Sequence, residues 1–408
     1  MLSTSAILRV LALINAKLSL FVNGRKDTFP LLKKSISEDD KVIWIHAASL
    51  GEYEQGLPIM EELKHNYPTH KIVLTFFSPS GFEVKKNSKA ADVICYLPLD
   101  SKKNVDLFIE ATHPELVIFI KYEIWPNYLS ALKEKNIPTF LVSALFKENQ
   151  IYFKWYGAFM LKALTMFSHF FVQNEKSNIL LNSIGFNNLT IAGDTRFDRV
   201  SEILDRDNSL NFMTRFKQEK FCFVAGSTWP EDENIIIDFI NSNTHPIQFV
   251  IAPHTIKRKH IESIKNAINK SVLNYTEIGD LTLENYEVII IDTIGLLTKI
   301  YSYADVAYVG GGFATGLHNT LEPAVFGMPV IIGPKFKGFA EAEDLVKLNG
   351  VQSINNAIDF KEQLNSFFES EKLKNSTGHI NYKYIKEKTG ATEKVMNVIT
   401  SILRSQYS

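Results

Sequence analysis

YVGGGFATGLHNTLEPAVFGMPVIIGP, residues 308–334, decides how the rest of the chain is read. A short apolar run ends in three glycines, Gly310, Gly311 and Gly312. A His-Asn pair, His318 and Asn319, comes next, then Glu322, then a second apolar run closed by Gly-Pro. Two buried-strand runs joined through a glycine loop and a polar helix start make a βαβ unit. The glycine spacing is G-G-G-x-x-x-G, so it is not the G-x-G-x-x-G dinucleotide fingerprint, and no G-x-x-x-x-G-K-[ST] P-loop occurs. Glycine lets a ligand approach the backbone. The stretch therefore suits a site where backbone N–H groups hold a phosphate and a carboxylate takes sugar hydroxyls. Glu322 lies three residues after Asn319, the spacing of a capping box.

The same rhythm runs outward in both directions. Strand-like runs are expected at KVIWIHAAS, KIVLTFF, DVICYLP, ELVIFIK, TFLVSA, HFFVQN and LTIAG. In the second half they are FCFVAGS, IQFVIAP, YEVIIID, ADVAYVGG and MPVIIGP. These runs are continuously apolar rather than alternating, which predicts parallel strands covered on both faces. Helical segments such as QGLPIMEELKHN and KSNILLNSIG separate them. The expected architecture is α/β, with two Rossmann-like doubly wound domains facing each other across a cleft. A polar stretch at 196–220 breaks the pattern and marks the junction. The domains are expected at 35–205 and 206–380, with a C-terminal helix over 381–408.

Bulk composition bounds the function. The 408 residues are 45% hydrophobic and 22% charged, with net charge −1, which gives no sign of a nucleic-acid partner. Cys95 and Cys222 sit in apolar runs and read as buried free thiols in a reducing compartment. No Cys/His spacing matches a zinc site, so no metal site is expected. The Asp-x-Asp at Asp205–Asp207 falls in the polar junction and reads as solvated linker.

Residues 1–34 differ from the rest. They hold six basic residues and one acid, net +5, around a Leu/Ile/Val/Phe-rich run. That run is short and interrupted for a spanning helix and has no small-residue cleavage site, which argues against a secretory signal. A helix lying in an anionic membrane interface is the expectation, with a packing helix as the alternative.

In open α/β sheets, ligands sit beyond the carboxyl ends of the strands. After KVIWIH comes AASLGEYEQG, where Ser49 and Gly51 precede Glu52 at a helix start. Glu52 reads either as a first-turn charge on the helix dipole or as a general base. After ELVIFIK, Glu123 precedes Trp125-Pro126, a helix start with Pro near its first position. After FCFVAG, Ser227 or Thr228 is expected to cap the next helix, whose free N–H groups suit an anion. After IQFVIAP, His254, Lys257, Arg258 and Lys259 cluster as a phosphate grip or a solvated basic face. Gly295 stands in the turn after YEVIIID.

These loops, in this order, resemble those of the 3-deoxy-D-manno-octulosonic acid (Kdo) transferases of Gram-negative bacteria, from about Val42 to about Gly350. The pieces that carry the resemblance are IHAASLGE, FFSPSG, EIWPN, FVQNE, GDTRFD, AGSTWPEDE, DTIGLL, HNTLEPAVFGMPVIIGP and FAEAEDL. The resemblance implies the GT-B fold, CMP-Kdo as donor, a lipid A precursor as acceptor, and work at the cytoplasmic face of the inner membrane. It implies that Glu52 is the catalytic base. It puts donor contacts at Pro253, His254, Ile294, Gly295, Leu296, Asn319, Thr320, Leu321 and Glu322. Further contacts are expected at Ser49, Gly51, Glu123, Ser227, Thr228, Lys257, Arg258, Gly311, Gly312 and His318, with no cofactor beyond the donor. The chain departs from the family where Pro253-His254 replaces the usual Pro-Arg and where Thr320 replaces the Pro of Asn-Pro-Leu-Glu. A third departure is Lys121, in place of a common Glu. The rival readings are another nucleotide-sugar enzyme of this architecture and an inactive glycolipid-binding homologue.

Overall fold

The computed structural model describes residues 16–406. The chain forms two compact units. One runs through Arg199 and regains the chain from Lys388; the other is Val200–Glu387.

The first unit carries seven strands: β1 (Lys41–His46), β2 (His70–Phe76), β3 (Val93–Tyr96), β4 (Leu116–Ile120), β5 (Thr139–Ala144), β6 (His169–Val172) and β7 (Leu189–Ile191). They form one parallel sheet in the order β3-β2-β1-β4-β5-β6-β7. Alternate residues face opposite layers. Val42, Trp44, Val117 and Phe119 enter one core, and Ile43, Ile45, Ile118 and Ile120 enter the other. Both faces are covered, so most positions are apolar, and this is why the runs do not alternate.

The second unit repeats the plan with β8 (Phe221–Thr228), β9 (Ile247–Pro253), β10 (Val272–Asn274), β11 (Val288–Ile290), β12 (Val306–Val309), β13 (Val330–Ile332) and β14 (Val351–Ser353). Their order is β10-β11-β9-β8-β12-β13-β14. The twelve expected strands are all present. β10 and β14 escaped the sequence reading: each has three residues and lies at a sheet edge. Neighbouring strands lead onward in opposite directions between β1 and β4 in the first sheet and between β8 and β12 in the second. Loops part there and leave room for a ligand.

At the start of the described chain, the helix Thr28–Ser35 packs on the first sheet. Leu32 is fully buried, and the Thr28 hydroxyl donates to Tyr96 O at 2.9 Å. Arg25 is withdrawn from the charge counted toward a membrane surface. Its guanidinium donates to the carbonyls of Phe21, Phe77 and Leu97 at 2.7–2.9 Å. It also lies 3.7 Å from the Phe21 ring centroid. Burial lowers its pKa to about 10. The run over residues 1–15 lies outside the described residues. Among those described, no helix is long and apolar enough to cross a membrane.

The chain's end is divided. The helix Glu371–Lys388 packs on the second unit, where Asn381 Nδ2 donates to Met328 O and Gly350 O, each at 2.8 Å. The last helix, Ala391–Gln406, packs on the first unit. Ala391, Val395, Met396, Ile399 and Leu403 complete the core layer that holds Ile43 and Met60. Asp198 fastens its start, accepting from Gly390 N, Thr392 N and the Thr392 hydroxyl at 2.6–2.7 Å.

Candidate active site

In the first unit, the loops after β1 and β4 meet at the reversal point. The helix Leu50–Asn66 starts after β1 with Ser49 as its N-cap. Glu52 Oε2 accepts from Ser49 N and from Ser49 Oγ, both at 2.7 Å. The side chain is 8% exposed. Among the described residues, Oε1 has no hydrogen-bond partner. One oxygen is fixed by the cap while the other stays open, so the two readings of Glu52 are compatible. Gly51 makes no tight turn: it lies in the helix's first turn, and a Cβ there would meet only Ser49 Oγ, at 4.0 Å.

A hydrogen-bonded chain leads to the β4 loop. Trp44 Nε1 donates to Thr75 Oγ1 at 2.8 Å, and Thr75 Oγ1 lies 2.8 Å from His46 Nδ1. The Thr75 hydroxyl also reaches Ile45 O, at 3.4 Å. His46 Nε2 donates to Glu123 Oε2 at 3.3 Å, and Trp125 Nε1 donates to the same oxygen at 3.0 Å. Glu123 is therefore placed by two donors rather than by capping. Trp125 is the N-cap and Pro126 the first residue of the helix Pro126–Glu134, as the sequence predicts. Lys121, just after β4, holds φ +72, left-handed for a non-glycine residue.

In the second unit, the expected cap is corrected. Trp229, not Ser227 or Thr228, is the N-cap of Pro230–Ser242. Ser227 holds φ +54. Thr228 Oγ1 donates to the buried Glu233 at 3.0 Å, and Glu233 also meets His260 Nε2 at 3.1 Å. Burial raises the Glu233 carboxyl pKa, against the pull of His260. Asp232 is fully buried. It accepts from Trp229 N at 2.9 Å, Gly311 N at 2.9 Å and the Tyr308 hydroxyl at 2.6 Å. It thus ties the loop after β8 to the glycine loop after β12.

The three glycines receive a different account from the expected one. A Cβ on Gly310 would stand 2.3 Å from Ser227 O, on Gly311 2.1 Å from Gly316 O, and on Gly312 2.7 Å from Gly333 N. The chain's own backbone occupies that space. Gly311, at φ +94, also needs glycine conformationally.

Three rings line the edge of this loop. Trp229 stacks on His254 with centroids 4.8 Å apart and planes at 14°. His254 and His318 lie 4.7 Å apart. Trp229 Nε1 donates to His318 Nε2 at 3.1 Å. Burial, and then His254, lower the His318 pKa, while Asp232 pulls the other way. Pro253 ends β9, and His254 is held by its N–H to Thr228 O at 2.9 Å. Of the basic cluster, Lys257 is the N-cap of Arg258–Ala267, while Arg258 points outward and pairs with Glu262 at 2.8 Å. Leu296 precedes the helix Leu297–Tyr301; Gly295 turns at φ +94, and Ile294 is 85% exposed. Thr298 Oγ1 donates to Glu322 Oε2 at 2.9 Å, and Asn319 Nδ2 donates to Oε1 at 3.1 Å. Asn319 Oδ1 accepts from Leu321 N at 3.1 Å. Thr320 and Leu321 are buried, and among the described residues Thr320 Oγ1 has no partner. These contacts join the 294–298 loop to the 318–322 loop. Among the described residues, no group of three or more His, Cys, Asp or Glu is arranged to hold a metal ion.

The family model for 3-deoxy-D-manno-octulosonic-acid transferase (kdotransferase) matches residues 24–199. The 3-deoxy-D-manno-octulosonic acid transferase of Haemophilus influenzae is 29% identical over 385 residues, covering 88% of this chain and 87% of that protein. The transferase of the same name from Aquifex aeolicus is 30% identical over 319 residues, covering 76% of this chain and 80% of that protein. Among solved structures, the UDP-GlcNAc 2-epimerase of Neisseria meningitidis superposes with a TM-score of 0.62 at 16% identity. It covers 88% of this chain and 100% of its own, and it shows the shared two-unit fold. The fold, the ordered loops and these relatives agree, and the chain belongs to the 3-deoxy-D-manno-octulosonic acid transferase family of glycosyltransferases.

Proposed function

We propose that the protein moves Kdo from CMP-Kdo to a lipid A precursor, with inversion at the anomeric carbon and without a metal ion. The observation that carries this reading is Glu52, a carboxylate with Oε2 fixed by Ser49 and Oε1 unengaged. Oε1 takes the proton of the acceptor hydroxyl as that oxygen attacks the anomeric carbon and the bond to the CMP phosphate breaks. The first unit takes the acceptor, with Glu123 orienting its hydroxyls. The second takes the nucleotide. Pro253, His254 and the Ile294–Leu296 turn bound it, and Asn319–Glu322 supply acceptors for hydroxyls. The leaving phosphate needs fixed positive potential, and helix N-termini with Lys257 supply it in place of a metal.

The acceptor is a lipid, so the enzyme works at a membrane surface, the cytoplasmic face of the inner membrane. Residues 1–34, less Arg25, bring basic charge to that surface.

Incubation with CMP-Kdo and the tetraacyl lipid A precursor, followed by mass spectrometry of the lipid, tests the reading. Addition of Kdo with CMP-Kdo, none with UDP-sugars, and full activity in EDTA are the expected results. No Kdo addition overturns the reaction, and loss in EDTA restored by Mg²⁺ overturns the metal-free scheme.

A further inference from the structure

Between β5 and β6 the chain turns four large apolar side chains into solvent. Trp155 is 93% exposed, Phe159 70%, Tyr156 60% and Ile151 40%. Their neighbours Tyr152 and Phe153 point the other way, with centroids 5.9 and 6.2 Å from buried Phe146. The segment is built to hold this division. Lys154 N donates to Ile151 O at 3.1 Å, and Gly157 N to Lys154 O at 2.9 Å. A Cβ on Gly157 would stand 1.8 Å from Ile151 O, so the turn is closed against anything but glycine. Scattered single apolar residues on a surface are ordinary; a fixed display of Trp, Tyr, Phe and Ile within nine residues is not.

The charge around the display has one sign. From Asn149 to Met166 the chain carries Lys154 and Lys162 and no acid. Trp and Tyr favour the boundary between water and acyl chains, where an apolar ring is buried and its polar tip stays wet. Lysines beside them meet anionic headgroups. A folded protein partner has no comparable need for lysines interleaved with rings.

The position fits as well. The segment follows β5, whose neighbour in the sheet is β4, so it opens on the same edge as Glu123. Tyr152 links the two: after burial, the Glu123 charge is the next influence raising its phenol pKa.

We propose that Ile151, Trp155, Tyr156 and Phe159, with Lys154 and Lys162, form a surface that enters the interfacial layer of an anionic lipid bilayer. This contact is separate from residues 1–34. It sets the carboxyl edge of the first sheet at the plane where a lipid presents its sugar. Its functional meaning rests on the proposed lipid acceptor; the contact itself does not.

The test uses the full chain and vesicles of phosphatidylcholine with phosphatidylglycerol, without donor. Trp155→Ser/Phe159→Ser should lower the partition coefficient roughly tenfold, since interfacial binding scales with the apolar area inserted. Lys154→Gln/Lys162→Gln should flatten its salt dependence. Bromine-labelled lipid should quench tryptophan emission in the native chain and quench it less in Trp155→Ser. None of the substituted side chains is buried in the core, so unchanged melting temperatures should accompany these effects. Equal partitioning and equal quenching in native and variant proteins overturn the proposal. Loss of self-association in the variants with vesicle binding intact also overturns it, in favour of a protein interface. Kdo transfer to a deacylated, water-soluble acceptor should survive in the Ser variant. If the native chain transfers nothing, the proposed reaction fails while the vesicle result stands by itself.

Discussion

The indole of Trp229 fixes the protonation of His318. An indole N–H only donates, and it points at His318 Nε2 from 3.1 Å. Nε2 must therefore accept, and the imidazole is neutral with its proton on Nδ1. Burial and His254 push the same way, and Asp232 opposes them. The folded pKa lies below the ordinary 6.5. The unfolded chain therefore takes up the proton first as pH falls. This contribution to stability is complete above 6.5 and is lost as pH drops from there toward the folded value. Replacing Trp229 by Phe keeps a ring against His254 and removes the opposing N–H. Nitrogen NMR of His318 should show the Nδ1–H form at neutral pH and a titration that moves up toward 6.5 in Trp229→Phe. An unmoved titration would mean that the indole does not set the tautomer.

Glu52→Gln keeps an acceptor for Ser49 N, so the helix start survives. A Gln cannot take a proton from an acceptor hydroxyl. Turnover should fall by about 10²–10⁴-fold, with CMP affinity by calorimetry unchanged. Near-native turnover would remove Glu52 from the mechanism.

Asp232 is a positioning residue. Its loss leaves the N–H groups of Gly311 and Trp229 buried without an acceptor. Asp232→Ala should destabilise the protein by about 1–3 kcal/mol in chemical denaturation. Asp232→Asn should recover most of that: the amide oxygen can take both N–H groups while the amide nitrogen donates to the Tyr308 hydroxyl. If Asn is as damaging as Ala, the negative charge itself is what the site requires.

Asp198→Ala should cost about 0.5–2 kcal/mol, the range for a lost helix cap, because it removes three bonds at the start of the last helix. Hydrogen exchange should show the amides of Ala391–Gln406 opening faster, with those of the second unit unaffected. Uniform loss of protection across both units would contradict a local anchor.

How much of this could be read in advance varies with the kind of fact. Strands buried on both faces are legible, since two dry layers demand unbroken apolar runs; β10 and β14 are too short to build such a run. Glu52 was legible from local sequence only as an acid in a first helical turn, and its part as a base came from the family resemblance. The cap at Trp229 was not, since an indole offers no acceptor to the helix N–H groups; what marks the start is the Asp232 carboxylate, three residues on, accepting from Trp229 N. The reading of the glycines as room for a ligand missed that their neighbours are Ser227, Gly316 and Gly333, contacts made only in three dimensions. Trp155 and Phe159 look like core residues in the sequence. In the structure both stand in solvent, on either side of the turn at Gly157.

The return of the last helix to the first unit bears on how the protein is made. A ribosome releases the seven strands of the first sheet long before it reaches Ala391. Until then the layer around Ile43 and Met60 lacks Val395, Ile399 and Leu403 and stands open to water. The amino-terminal unit is thus among the first parts synthesised and the last to be completed. A nascent chain of this protein carries an uncovered apolar face through the whole synthesis of its second unit, the condition in which chaperones bind and aggregation competes with folding.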